Sequence, residues 1–182
     1  MSDGALFPSL LGPRWEVLPP SLRAMHGGLR PVRARGRVNV EGDPRWRARL
    51  LRALFRLPVP AADVPLDVEI RPHAAAETWS RRFPSGVMRS TLRRSSRWPG
   101  AFEESIGAAR FVFVPECDGR ALRWATRDVR LFGVSLPLRW FDGLSACCSE
   151  RDGRYRFDIV ARLPWVGVLV AYAGWLESVD GD

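Results

Sequence analysis

Carboxylates that interrupt an apolar–polar alternation are the groups in this chain best placed for acid–base chemistry. Glu69, Glu77, Asp128, Glu150 and Asp158 all fall in segments with strand-like patterning. Asp158 lies in Arg154-Tyr-Arg-Phe-Asp-Ile, where a period of two places Arg156 on the same face. Inside a barrel, such a pair would hold the polar end of a ligand, or each group would shift the other's pKa. On an outer face it would be a weak, solvated ion pair, and that is the commoner outcome. Glu69, Glu77 and Asp158 are the catalytic candidates.

The eight tryptophans add a second kind of chemistry. Trp79 shares a strand-like run with Arg81, Trp124 with Arg123, and Trp140 lies beside Arg139. Interleaved arginine and aromatic residues can stack nucleic-acid bases or line an apolar pocket with a few polar anchors. They can also simply pack, with cation–π contacts at the rim. Trp46, Trp165 and Trp175 are assigned to packing, Trp79 and Trp124 to a pocket. The candidate ligand-binding residues are Trp79, Arg81, Arg89, Trp124, Arg156 and Tyr172.

Other chemistry lacks its residues. Gly-x-Ser-x-Gly, a phosphate-binding loop and Gly-x-Gly-x-x-Gly do not occur. His26 and His73 are far apart, and neither has a triad partner motif. Cys117, Cys147 and Cys148 form neither a disulfide framework nor a structural zinc pattern. Free thiols in a reducing compartment are expected, with no metal and no cofactor.

The elements that must position these groups are mostly strands. Leu6 to Leu18 and Ser21 to His26 read as short helical segments around Pro19-Pro20. Pro31 to Val40 alternates as a first strand. Asp43-Pro44 opens an amphipathic basic helix running to Leu57, with Asp43 as its cap. Trp46, Leu50, Leu51, Leu54 and Phe55 face one way, and Arg45, Arg49, Arg52 and Arg56 the other. The reading is a surface helix whose apolar side packs on a sheet, with docking on a membrane or nucleic acid as the less favoured use. Beyond Pro65 the chain is a series of strand-like runs. Pro84-Ser-Gly86, Asp118-Gly119 and Asp152-Gly153 punctuate them, and Tyr155, Phe157, Ile159 and Ala161 share a face.

Strands at hairpin spacing imply an antiparallel sheet, and eight or more of them require strong curvature. The expected fold is mostly β (α+β): a strongly curved antiparallel sheet, a half-barrel or open barrel, covered by one or two N-terminal helices. The 43–57 helix is expected over one mouth or face. The 182 residues form one expected domain, 1–182, large enough to bury a core. The start, Met1-Ser-Asp-Gly-Ala-Leu-Phe-Pro, has no basic region followed by an apolar run, so no signal peptide is expected. No apolar run is long enough to span a membrane as a helix. A cytoplasmic location is expected.

Net charge is +8, and all 28 basic residues are arginine, with no lysine. A basic balance is the footprint of nucleic-acid binding. Here the arginines run from Arg14 to Arg162 among 20 acids and carry no recognisable nucleic-acid motif, so nucleic acid is not the favoured partner.

An ordered set of short motifs gives a family resemblance. Leu18-Pro-Pro, His26-Gly27, Gly36-Arg-Val38 and Glu77-Thr-Trp-Ser-Arg-Arg-Phe83 are followed by Leu122-Arg-Trp124 and Gly133-Val-Ser-Leu-Pro137. Asp152-Gly-Arg-Tyr-Arg-Phe-Asp158, Leu163-Pro and Tyr172-Ala-Gly-Trp-Leu176 complete the series. Over about 15–177 the chain resembles the DUF4166 family. The resemblance implies company with saccharopine-dehydrogenase-like or related oxidoreductase domains and supplies no catalytic residues.

The leading functional expectation is binding of a hydrophobic small molecule in an apolar cavity of the curved sheet. The alternative is a cofactor-independent cyclase or isomerase that uses the same cavity and the strand carboxylates. Nucleic-acid binding and an accessory module docking on an oxidoreductase rank lower.

Overall fold

The computed structural model describes residues 5–28, 30–73 and 76–179. The first four residues, on which part of the signal-peptide reading rests, lie outside that set. Eleven strands alternate down the chain: β1 (Val32–Glu41), β2 (Ala61–His73), β3 (Ala76–Phe83), β4 (Gly86–Arg94), β5 (Phe102–Ile106), β6 (Ala109–Cys117), β7 (Ala121–Leu131), β8 (Val134–Ser135), β9 (Gly143–Arg151), β10 (Arg154–Leu163) and β11 (Gly167–Ser178). Every pairing is antiparallel.

The sheet closes, which corrects the expected half-barrel or open barrel. β6 pairs β7, β7 pairs β9, and β11 returns to pair β1 along eight residue pairs, Ala34↔Ser178 to Glu41↔Ala171. The result is a ten-strand up-and-down barrel, with β8 as a short flap on β7. Closure removes the unpaired edges that an open sheet would expose. Two glycines let the seam form. A Cβ at Gly36 would overlap the Trp175 carbonyl, and one at Gly174 would overlap the Arg37 carbonyl.

Period two divides each strand between lumen and wall. β1 buries Val32, Ala34, Val38 and Val40 and exposes Arg33, Arg35 and Arg37. Those three arginines pair across the wall with Glu69, Asp67 and Asp63 on β2. Exposed pairs of this kind are screened by water and contribute little to stability. Their main effect is to mark the wall as facing water.

The two ends of the barrel differ. Helices α1 (Leu6–Leu11) and α2 (Pro20–His26), joined through a 3-10 turn at 12–15, plug one end. Phe7, Leu11, Leu22, Met25 and His26 of this plug are buried, and the Phe7 ring packs against Phe102 and Trp124 in the lumen. Ser21 does not cap α2; that helix begins at Pro20, where proline's fixed φ suits the first turn. This is the sealed end.

At the opposite end, α3 (Trp46–Leu54) bridges β1 and β2. It starts later than the sequence suggests: the Asp43 carboxylate accepts the Arg45 N–H, and Arg45 is the residue before the helix. α3 also faces differently. It meets the barrel through Ala48, Leu51, Arg52 and Phe55, with the Arg52 guanidinium donating to the carbonyls of Leu169 and Asp43. Trp46 is 68% exposed, and Leu50 and Leu54 are exposed with it. Trp165 is 72% exposed in the β10–β11 connection. Trp46 and Trp165 therefore do not pack as expected. Arg52 takes the inward place because main-chain carbonyls at that site require donors.

Candidate functional site

The lumen on the α3 side of the plug holds a cavity of about 310 Å³. That lies in the range of small-molecule sites, and a ten-strand barrel is wide enough to keep its side chains from filling the bore. Four layers can be followed from the plug outward.

The floor is aromatic. Trp79 and Trp124 meet edge to face with ring centres 6.2 Å apart, and His26 of the plug lies 5.3 Å from Trp79. His26 Nε2 is 2.9 Å from the Tyr155 hydroxyl, and that hydroxyl donates to Cys148 Sγ at 2.8 Å. The consistent proton placement has His26 donating from Nε2 and leaves Nδ1 as an unprotonated lone pair. Burial, and then the Arg81 charge, push His26 down to about 3, so the imidazole is neutral. Burial pushes the Cys148 thiol up to about 12 and the Tyr155 phenol well above its usual value. The triad is a neutral hydrogen-bonded strut, not a nucleophile with its base.

A single ionic belt lies above the floor. Arg81 on β3 donates to Ser90 Oγ at 3.0 Å and lies 3.6 Å from the Glu104 carboxylate. Its guanidinium covers the Trp79 ring at 4.9 Å. Both charged side chains are only 8% exposed. Removing one charge would leave the other buried alone, so the two must be present together. Tyr172 on β11 stands near this belt; burial raises its phenol pKa, Arg81 lowers it and Glu104 raises it. The Tyr172 hydroxyl makes no side-chain hydrogen bond among the described residues.

The third layer, beside and above the belt, is apolar wall formed by Leu66, Met88, Ala146, Phe157 and Val170, while Phe113 packs lower, against Phe102 and Trp124. The fourth is the mouth, where Leu51 and Phe55 of α3 face Phe111, Leu136, Phe141 and Leu163. Among the described lining residues Glu104 is the sole carboxylate.

The domain of unknown function DUF4166 matches residues 18–176, most of the chain. The chain belongs to the DUF4166 family. Neither a curated protein nor a solved structure matches it. The matched span of this DUF4166 chain contains all eleven strands up to Leu176, α3 and all but the first plug helix. The match therefore spans the barrel strands and the residues that line the cavity, whereas α1 lies before it.

The sequence-nominated residues divide between the two faces of the DUF4166 barrel. Glu77, Trp79, Arg81, Trp124 and Tyr172 point inward and are buried. Trp79, Arg81, Trp124 and Tyr172 line the cavity. Glu77 lies below it, where its carboxylate accepts from Trp79 Nε1 at 3.0 Å and from the Leu6 N–H of the plug. Burial raises the Glu77 pKa against those two bonds. Glu69, Arg89, Arg156 and Asp158 are on the wall. Glu69 is held by Arg33 and Arg71, and the Arg71 hydrogen bond, foremost, lowers its pKa. Arg89 and Asp158 are exposed, and Arg156 is half-buried on the outer side of β10. His73 ends β2, with Nε2 3.0 Å from Thr78 Oγ1.

Sequence reasoning missed Glu104 and the Cys148–Tyr155–His26 strut. For Glu104 a signal exists: Phe102, Glu104 and Ile106 share one strand face, so an acid stands in an otherwise apolar row. The strut joins residues 129 positions apart, which no local pattern encodes.

Proposed function

We propose that the protein binds one hydrophobic small molecule carrying a single polar group inside the barrel. The observation that carries this reading is the combination of an apolar cavity with one buried Arg81–Glu104 pair partway down it. An apolar body would fill the space between the mouth and the aromatic floor. A carbonyl or hydroxyl would meet Arg81 or the Tyr172 hydroxyl. A carboxylate suits the site less well, because Glu104 already neutralises Arg81 and a second anion there would be repelled. Trp79, Arg81, Trp124 and Tyr172 are the proposed contacts.

No specific observation favours the cyclase or isomerase reading. Of the three catalytic candidates, Glu69 and Asp158 are on the wall and Glu77 is tied up below the cavity. An acid–base role in the lumen would fall to Glu104 and Tyr172 instead.

Titration with a neutral apolar fluorophore such as Nile red tests the binding reading. One-to-one binding is expected, with energy transfer from Trp79 and Trp124. The Ala146→Phe variant, which adds a ring to the cavity wall, should reduce affinity at least about tenfold while the barrel remains folded by circular dichroism. Binding unchanged in that variant, or no binding by the parent chain, would contradict the reading.

A further inference from the structure

Exposed apolar side chains are not spread evenly over the molecule. Among the described residues eleven large ones are exposed, and eight belong to connections at the open end. Trp46, Leu50 and Leu54 lie on α3, Phe132 and Val134 at the β7–β8 turn, and Trp165 between β10 and β11. Singly exposed hydrophobic residues need no explanation, but a cluster around one opening does.

The α3 face has a definite pattern. At 100° per residue, Trp46, Leu50, Ala53 and Leu54 form one outward stripe, with Arg47 on one flank and Arg49 on the other. The side facing the barrel is already taken by Ala48, Leu51, Arg52 and Phe55. Residues 42–60 contain five arginines and one carboxylate, Asp43, which bonds Arg45. The stripe is thus apolar in the middle and cationic at both margins.

The β7–β8 turn supports the same use of this end. Its two central residues, Phe132 and Gly133, have φ of +50° and +83°. The two-residue β9–β10 turn at the sealed end uses Asp152 and Gly153, at +56° and +72°. Asp-Gly suits such a turn, whereas a phenylalanine there is strained and is left 78% exposed. Neither burial nor turn preference explains Phe132.

We infer that the open end docks on an anionic lipid surface. Trp46, Leu50 and Leu54, with Phe132 and Trp165, enter the boundary between headgroups and acyl chains. Arg47 and Arg49 run their aliphatic stems along the stripe and put their guanidinium groups at lipid phosphates. Tryptophans favour that boundary, and Trp165 is held edge to face with Trp140 at 5.8 Å between ring centres. A nucleic acid would use the arginines but leave the apolar side chains in water. The barrel wall stays outside the bilayer, since its outward positions carry ion pairs. Docking does not depend on what fills the cavity. It would, however, put the cavity mouth against lipid, so that an apolar molecule could pass without crossing water.

Co-sedimentation of the full chain with mixed phosphatidylglycerol–phosphatidylcholine vesicles, and with pure phosphatidylcholine vesicles, tests the inference. Binding to the mixed vesicles is expected, at least about tenfold tighter than to the neutral ones. Replacing Trp46→Ser, Leu50→Ser and Leu54→Ser together should cost at least about tenfold in that binding and leave the melting temperature in place, because all three are exposed. Lipids brominated along the acyl chain should quench the parent protein's tryptophan fluorescence, and less so in Trp46→Phe. Failure to bind mixed vesicles would overturn the inference, as would full binding by the triple variant. So would a dimer, or a complex with an oxidoreductase, that is lost in the triple variant while vesicle binding is not. Vesicle binding without Nile red binding would uphold docking and sink the cavity reading; the reverse result would do the opposite.

Discussion

The two ends of this barrel solve the same geometric problem with opposite chemistry. Each must join antiparallel strands and cover the ends of a wide lumen. At the sealed end, apolar residues of α1 and α2 turn inward, and Phe7 and His26 complete an aromatic floor. The turn between β9 and β10 there is Asp152-Gly153, a pair suited to its backbone. At the open end, α3 turns its apolar stripe outward, and the turn between β7 and β8 carries an exposed Phe132. One end follows the rules of stability; the other departs from them repeatedly. Departures of that kind concentrate where a surface has a use besides holding the fold.

Among substitutions that probe this contrast, the largest effects belong to the lumen. Arg81→Met should destabilise by about 3–5 kcal/mol, because Glu104 is left buried without its partner. Arg81→Met with Glu104→Leu should recover most of that loss. Chemical denaturation of the single and double variants measures both, and a double variant no better than the single would show that the pair has no mutual dependence.

Phe7→Ala, in the plug, is expected to cost about 3–5 kcal/mol, as for other large aromatic truncations in a core. The same measurement on Trp46→Ala at the open end should give a change within about 0.5 kcal/mol. Equal losses at the two ends would erase the contrast.

Next comes the pH dependence of the sealed end. His26 is neutral in the fold, with its pKa pushed from 6.5 to about 3, so below pH 6.5 the unfolded chain binds the proton and the folded chain does not. Stability should therefore be fully present above about pH 6.5 and fall as pH drops toward 3, at up to about 1.4 kcal/mol per pH unit. His26→Gln should flatten that slope. Glu77 works with the opposite sign: its raised pKa gives stability that is present at low pH and lost as pH rises through the folded value. A His26→Gln variant as acid-sensitive as the parent chain would remove His26 from the account.

The smallest expected effect is a gain. Phe132→Asn should stabilise the barrel by about 1 kcal/mol, because asparagine tolerates the left-handed backbone at that turn. The same substitution should weaken vesicle binding. Stabilisation without loss of binding would leave Phe132 unexplained.

Much of the meander can be read from the chain, because hairpins are local. Pro84-Ser-Gly86, Asp118-Gly119 and Asp152-Gly153 fall at strand junctions as their turn chemistry requires. The row Tyr155, Phe157, Ile159 and Ala161 faces the lumen as its alternation implies. Closure was not legible, since the β1–β11 seam joins residues 130 or more positions apart. Which way a face points was only half legible. Period two groups Arg156 with Asp158 and Trp79 with Arg81, but it does not say which group lies inside. The inward group contains Phe83 and pairs with apolar Ile70 and Met88, whereas Arg156 and Asp158 pair with Trp175 and Ala173 on the wall side of β11. For α3 the expected apolar face is split: Leu51 and Phe55 meet the barrel, whereas Trp46, Leu50 and Leu54 face out, and Arg52 turns in because main-chain carbonyls on the barrel side need its donors.

Xenon fills apolar cavities whatever the natural ligand's affinity, so a crystal of the protein pressurised with xenon would map the lumen itself. Ordered xenon is expected between the Arg81–Glu104 pair and the mouth under α3, near Ala146 and Phe157, and none beneath the Trp79–Trp124 floor. A lumen closed by collapsed side chains, or xenon confined to the plug side, would contradict the cavity reading.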